Sequence, residues 1–232
     1  MDLISLLAIF FIVFLVLVLA VKKILSIIDK ANIVDWEHGW TNLVDGLIRL
    51  SCVRFHGLKK DYIPLPETGA AIVAANHISG LDPLLLIAAS KRPLRFLIAR
   101  EEYERYGFKW LFEAAGCIPV DRATNPEKAL RQALLAIDRG EVIAIFPQGV
   151  IQWPLTEKKP FKIKGGAVRL AQKKNIPLFP VVIDGVGLKG ATLLAIFKRS
   201  QIVLSFDEAI MDESLSYDAF LDVLAQKLNK VS

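Results

Sequence analysis

Two residues carry the clearest chemistry in this chain. His77 follows an apolar run at 70–75, and Asp82 opens a second apolar stretch with Pro83 directly behind it. Asp is a favoured helix N-cap and Pro suits the first helical position, so 78–81 reads as a short loop between a strand and a helix. Such a turn brings an imidazole and a carboxylate together. Histidine is the side chain best suited to moving protons near neutral pH. A carboxylate beside it fixes the tautomer and steadies the imidazolium that forms. The pair can therefore deprotonate a hydroxyl, with His77 as base and Asp82 as its orienting partner. The plainer reading makes Asp82 a helix cap and His77 a loop histidine. The context of the chain decides between them.

That context begins with uneven hydrophobicity. The chain has 232 residues, 53% of them hydrophobic, and residues 3–21 are apolar apart from Ser5. As a helix they reach about 28 Å, close to the hydrocarbon thickness of a bilayer. A cleaved signal peptide fits poorly, because Asp2 precedes the run and Lys22–Lys23 follow it without a small-residue cleavage pattern. Residues 1–30 are expected to be a retained single-pass anchor in the cell membrane. Lys22, Lys23 and Lys30 put the remaining chain on the cytoplasmic side. Residues 31–56 are expected to form an amphipathic interfacial segment, with a helix over 36–50. Trp36, Trp40, Leu43, Leu47 and Leu50 share its apolar side, joined by Val44. Glu37, His38, Thr41, Asn42, Asp45 and Arg49 fill the other.

The net charge of +5 suits work beside an anionic membrane. No basic stripe interleaved with aromatics points to nucleic acid. The two cysteines, Cys52 and Cys117, are far apart in apolar settings, as expected of reduced structural thiols. No His/Cys spacing suggests a metal site.

From residue 57 to 232 the pattern alternates. Strand-like runs occupy 70–75, 94–99, 117–120, 142–146, 178–183 and 202–206. Helix-like stretches fill 83–91, 103–115, 126–139, 166–174, 191–197 and 214–229. Thr124 with Glu127, or Asn125 before Pro126, is expected to cap the third of these helices. The fold class is therefore α/β, a mostly parallel sheet flanked by helices. In such sheets ligands bind at the carboxyl ends of the strands. Several strands end in charged or polar turns: Asn76–His77, Arg100–Glu101–Glu102, Asp121–Arg122, and Phe146-Pro147-Gln148-Gly149.

Asn76-His77-Ile-Ser79-Gly-Leu-Asp82 resembles the first motif, NHxSxxD, of the glycerolipid O-acyltransferases typified by lysophosphatidate acyltransferase. Gly116 to Arg122 resembles the second, GxxxxDR. Phe146 to Gly149 partly matches the third, FPEGTRS, and Ile176 to Val181 looks like the fourth. The resemblance covers roughly residues 55–205 and keeps the order of all four motifs. It implies acyl transfer from acyl carrier protein or coenzyme A to a lipid hydroxyl, with lysophosphatidate as the family's default acceptor and no further cofactor. His77 and Asp82 are the implied catalytic pair. Asn76, Ser79, Asp121, Arg122, Phe146, Pro147, Gln148 and Gly149 form the implied substrate-binding set. Arg100 joins Arg122 as a candidate for a phosphate, and Asp121 is equally open to a structural role.

The third motif departs from that pattern. Gln148 stands where the family has Glu, and Val150-Ile151-Gln152 where it has Thr-Arg-Ser. Gln keeps the size but loses the charge, and a permanent cation is gone from the place where the family holds a phosphate. Lys158, Lys159, Lys162 and Lys164 either replace it or form a membrane-facing basic surface. A non-phosphorylated acceptor, such as a glycolipid or an isoprenoid or carotenoid alcohol, is the alternative, and a non-catalytic membrane-anchored lipid-binding protein is the rival of a different class. Gly185-Val-Gly187-Leu-Lys-Gly190 spells GxGxxG after a strand, but too little chain follows for a dinucleotide fold, and a flexible turn is expected. No GxSxG elbow supports a serine hydrolase.

Overall fold

The computed structural model describes residues 2–121, 126–152 and 163–229. It opens with a 29-residue helix, α1 (Leu3–Ala31), none of whose side chains is buried and most of whose apolar ones are exposed. Its length and composition suffice to cross a bilayer. Helix α2 (Gly39–Arg54) turns back against α1. Six strands then form one sheet: β1 (Ala71–Ala75), β2 (Leu94–Ala99), β3 (Ile118–Val120), β4 (Val142–Ile145), β5 (Leu178–Asp184) and β6 (Val203–Phe206), in the order β3-β2-β4-β1-β5-β6. All pairings are parallel except β5–β6. β1 and β4 are buried at every position, which is why they read as unbroken apolar runs.

One face of the sheet is covered by α2, α3 (Asp82–Ala88) and the helical pair α4 (Arg100–Tyr103) and α5 (Lys109–Ala114). The other carries α6 (Pro126–Asp138), α7 (Gly166–Lys174) and α8 (Tyr217–Leu228). The strand–helix alternation read from the sequence is thus present, with two local differences. The single helix expected over 103–115 is two short ones, broken around Gly107, which adopts the left-handed conformation at φ 85°. The stretch at 191–197 is a 3₁₀ helix, Leu193–Phe197. The expected cap at Thr124 and Asn125 lies outside the described residues.

The largest correction concerns α2. It starts at Gly39 rather than 36, and its polar side faces inward. Asp45 and Arg49 are buried and form a bidentate pair, Nε to Oδ2 at 2.6 Å and Nη2 to Oδ1 at 3.1 Å. Arg49 also donates to the carbonyls of Ala88 (3.0 Å) and Ser90 (2.8 Å), at the end of α3. A guanidinium matches this set because its planar fork donates in several directions at once. Trp36, expected on the apolar side, is buried before the helix begins and donates Nε1 to Asp45 at 3.1 Å. Trp40, Leu43 and Leu47 are exposed. The expected two faces exist, but the polar one is the packing face.

The α1–α2 crossing turns on Gly46. A Cβ there would stand 2.1 Å from the carbonyl oxygen of Ile28. Gly46→Ala gains about 1 kcal/mol of helix propensity, but overpacking costs about 1–3 kcal/mol, more when backbone must move. The thermal midpoint of the detergent-solubilised protein is expected to fall. A rise would mean that the two helices do not cross here.

Candidate active site

Parallel pairing sets the site. Ala74 of β1 lies opposite Ile145 of β4, so the register carries His77 to the level of Gln148 just beyond the strand ends. Gln148 is buried, and its Oε1 accepts from the backbone N–H of His77. The carbonyl of His77 accepts from Gln152 N at 2.9 Å. The two motifs are therefore stitched together on both sides of His77.

Asp82 is fully buried and gathers four donors. Its Oδ2 accepts from Nδ1 of His77 at 2.8 Å, Ile78 N at 2.6 Å and Ser79 N at 2.8 Å, and its Oδ1 accepts from Ser79 Oγ at 2.7 Å. That is the hydrogen-bond complement of a carboxylate, which can only accept. The imidazole proton is then held on Nδ1, and Nε2 keeps its lone pair. Asp82 is the first residue of α3 rather than its cap; Leu81 is the cap and uses no side chain. The expected cap reading is corrected: the carboxylate turns back to the loop instead of forward to its own helix. His77 itself is 17% exposed and stacks on Phe146, with centroids 4.2 Å apart and planes 17° from parallel.

His77 stands on the wall of a cavity of about 600 Å³. Most of its lining is apolar, drawn from α2, α3, β2, α5 and the 3₁₀ helix, with Leu84, Phe96 and Phe112 among the larger side chains. A cleft of this size and character fits a ligand with a long apolar part. Among the described residues on this wall the single lysine or arginine is Arg105, 3.1 Å from Glu102 Oε1.

Of the expected site residues, His77, Phe146 and Gly149 line this cavity. Asp82 and Gln148 hold His77 from behind. Ser79, expected in the substrate-binding set, is fully buried and gives its hydroxyl to Asp82 inside the loop. Asn76 also has its partners within the fold. It is fully buried, donates Nδ2 to Ile183 O at 2.9 Å, and accepts from Ile183 N at 2.6 Å, clamping the end of β1 to β5. Pro147 accepts from Lys164 N at 2.8 Å through its carbonyl. Arg100 is exposed, lies against Glu104 (3.0 Å) and Asp121 (3.1 Å), and does not itself line the cavity. Arg122, Lys158, Lys159 and Lys162 lie outside the described residues. Thr41, Glu101 and Thr192 line the cavity but were not expected there. Glu101 adjoins Arg100 in a turn the sequence marked as charged; nothing in the sequence marks Thr41 or Thr192.

The comparisons with known proteins point one way. The family model described as Acyltransferase matches residues 53–184. A protein of Mycoplasma pneumoniae named a probable 1-acyl-sn-glycerol-3-phosphate acyltransferase is 31% identical over 123 residues, covering 50% of this chain and 45% of the relative. The Mycoplasma genitalium protein of the same name is 34% identical over 123 residues, with 49% and 44% covered. The chain thus spans about half the length of these curated relatives. The crystal structure of the 1-acyl-sn-glycerophosphate acyltransferase PlsC from Thermotoga maritima shares the fold, with a TM-score of 0.64 at 20% identity, over 84% of this chain and 80% of that one.

Asp82→Asn tests the loop. An amide can present only one acceptor oxygen, so at least one buried donor loses its partner, at a cost of about 1–3 kcal/mol. The denaturant midpoint is expected to fall accordingly. An unchanged midpoint would mean that the four donors are satisfied by something other than this carboxylate.

Proposed function

The chain belongs to the acyltransferase family, and from that premise we propose that it moves a fatty acyl group from an acyl thioester to a lipid hydroxyl, with lysophosphatidate as acceptor and phosphatidate as product. The donor is acyl carrier protein or coenzyme A. The observation that carries this reading is the His77–Asp82 pair, 2.8 Å apart, on the wall of a large apolar cavity.

His77 Nε2 takes the proton of the acceptor hydroxyl as its oxygen attacks the thioester carbonyl. The imidazolium is stabilised by Asp82, which also holds the ring by Nδ1. The tetrahedral oxyanion collapses, the carbon–sulfur bond breaks, and the thiolate takes the proton back from Nε2. No acyl-enzyme forms. The cavity takes the acyl chain and excludes water that would otherwise hydrolyse the thioester. The N–H groups of His77, Ile78, Ser79 and Gly80 are already engaged by Gln148, Asp82 and Ala191. Oxyanion donors must come from elsewhere. Arg122 and Arg100 remain the candidates for the acceptor phosphate, although Arg100 is held by two carboxylates.

In this reading residues 1–30 anchor the chain, 31–56 lie at the interface and 57–232 form the catalytic domain. The uncovered apolar side of α2 supports the interfacial part. Lys22, Lys23 and Lys30, toward the C-terminal end of α1, support a cytoplasmic catalytic domain in the cell membrane.

A second reading has its own observation. Gln148 replaces a charged residue, and its Nε2 is buried with no partner among the described residues. An acceptor without a phosphate, such as a glycolipid or an isoprenoid alcohol, fits a third motif that has lost its cation. An acceptor screen separates the two. Purified protein in detergent receives a labelled acyl thioester with lysophosphatidate or with neutral and glycosylated lipid alcohols. His77-dependent transfer to lysophosphatidate is the expected result. Transfer only to uncharged acceptors would move the assignment to the second reading, and no transfer to any acceptor would favour a lipid-binding protein. His77→Ala is expected to lower turnover by about 10³-fold, the scale for losing a positioned base. Full activity in a folded His77→Ala protein would sink the mechanism.

A further inference from the structure

The connection between β5 and β6 contains the GxGxxG run, and its glycines have a structural explanation. Gly185 has φ 76°, and a Cβ on it would stand 1.9 Å from Gln201 O; a Cβ on Gly187 would stand 2.1 Å from Arg199 O. Side chains are absent there because the outgoing and returning arms run backbone against backbone. The closed arms present the 3₁₀ helix Leu193–Phe197 at their tip. Ala195 is buried and pins the tip to the core, while Leu194 is 69% and Phe197 77% exposed. Lys198 and Arg199 follow at once, both exposed. Single exposed apolar residues need no explanation, but a prong of two large ones backed by two cations does.

The prong stands beside the candidate active site. Gly190 donates to Ile78 O at 2.7 Å, and Gly80 donates to Ala191 O at 2.9 Å, which ties it to the loop carrying His77. Thr192 and Leu193 line the same cavity as Val44 and Ile48 of α2. The exposed Trp40, Leu43 and Leu47 belong to that same helix, which packs on α1.

We propose that this prong is a second membrane contact, with Leu194 and Phe197 entering the leaflet at the headgroup–acyl boundary and Lys198 and Arg199 meeting lipid phosphates. Two features select the bilayer over a protein partner. An apolar tip flanked by cations matches an anionic leaflet in both chemistry and charge. The base of the prong also shares the cavity wall with α2, which packs on a helix long and apolar enough to span the membrane. The contact seats the mouth of the cavity on the bilayer, so that lipid enters beside His77 without crossing water. This inference rests on the membrane part of the proposed function, α1 in the bilayer, and is independent of acyl transfer.

The buried cysteines make a direct test practical. Burial pushes the Cys52 thiol up to about 12 and that of Cys117 up to about 11, which slows their labelling, and the unsubstituted protein treated in parallel gives the background. Full-length Phe197→Cys, Ile12→Cys on α1 and Lys173→Cys on α7 are each labelled with a polarity-sensitive fluorophore. They are then reconstituted into phosphatidylcholine–phosphatidylglycerol vesicles with and without acyl-chain nitroxide lipid. The expected result is a blue shift and loss of intensity to nitroxide at 197 and 12, with neither at 173. A label at 197 that behaves like the one at 173, while 12 is quenched, overturns the docking and leaves the anchor intact. Absence of quenching at both 12 and 197 withdraws the anchor and the docking together.

Discussion

Everything at the candidate active site depends on one buried carboxylate. Asp82 is out of contact with water, and a charge there is tolerable only if it is fully hydrogen-bonded. The loop after β1 meets that condition by folding back on it, supplying two backbone N–H groups, a hydroxyl and an imidazole. The same bonds that solvate the charge fix the loop, the tautomer and the direction of His77. Orientation of the base and stability of the loop are thus one interaction. Ser79 belongs to this arrangement: its hydroxyl donates to Asp82 and accepts from Leu81 N at 3.2 Å, so the loop closes on itself.

The sheet brings the second half of the site to the first. β1 is central, with β4 on one side and β5 on the other. Asn76 imitates a strand pairing with Ile183 and prolongs the hold of β5 on β1 by one residue past the last backbone pair. On the β4 side Gln148 receives the N–H of His77, and Phe146 lies flat under the ring. The imidazole is held through its backbone on one side, through Nδ1 on another and through its face on a third. Nε2 is left for chemistry.

Much of this was legible in the sequence, and the pattern of what was not is physical. The strands were legible because parallel strands buried on both sides must be apolar throughout, as 71–75 and 142–145 are. The His77–Asp82 pair was legible because its spacing and the Pro that follows define a short turn. The order of the four motifs made the family legible. The orientation of α2 was not, since hydrophobic patterning assumes that polar residues face water. Here Asp45 neutralises Arg49, whose guanidinium donates to the carbonyls at the end of α3, so the polar side is the one that packs. The roles of Asn76 and Ser79 were hidden for a related reason. A buried polar side chain inside a motif can serve substrate or scaffold, and only its partners tell which.

The inverted α2 also leaves a hydrophobic surface that the rest of the fold does not cover. A helix that packs through its polar side leaves its apolar side uncovered, and in water that arrangement exposes hydrophobic surface for no gain. Next to a bilayer the cost reverses sign, because burial of that surface becomes favourable. The buried Asp45–Arg49 pair is then the device that turns α2 over: it provides a packing surface that does not consume the apolar side chains. Gly46 lies on the same packing side and lets α1 approach to backbone contact. Helix α1, the uncovered side of α2 and the cavity lined by Val44 and Ile48 are therefore parts of one assembly, in which the polar residues of α2 hold the protein together and leave its apolar residues free for the membrane contact proposed above.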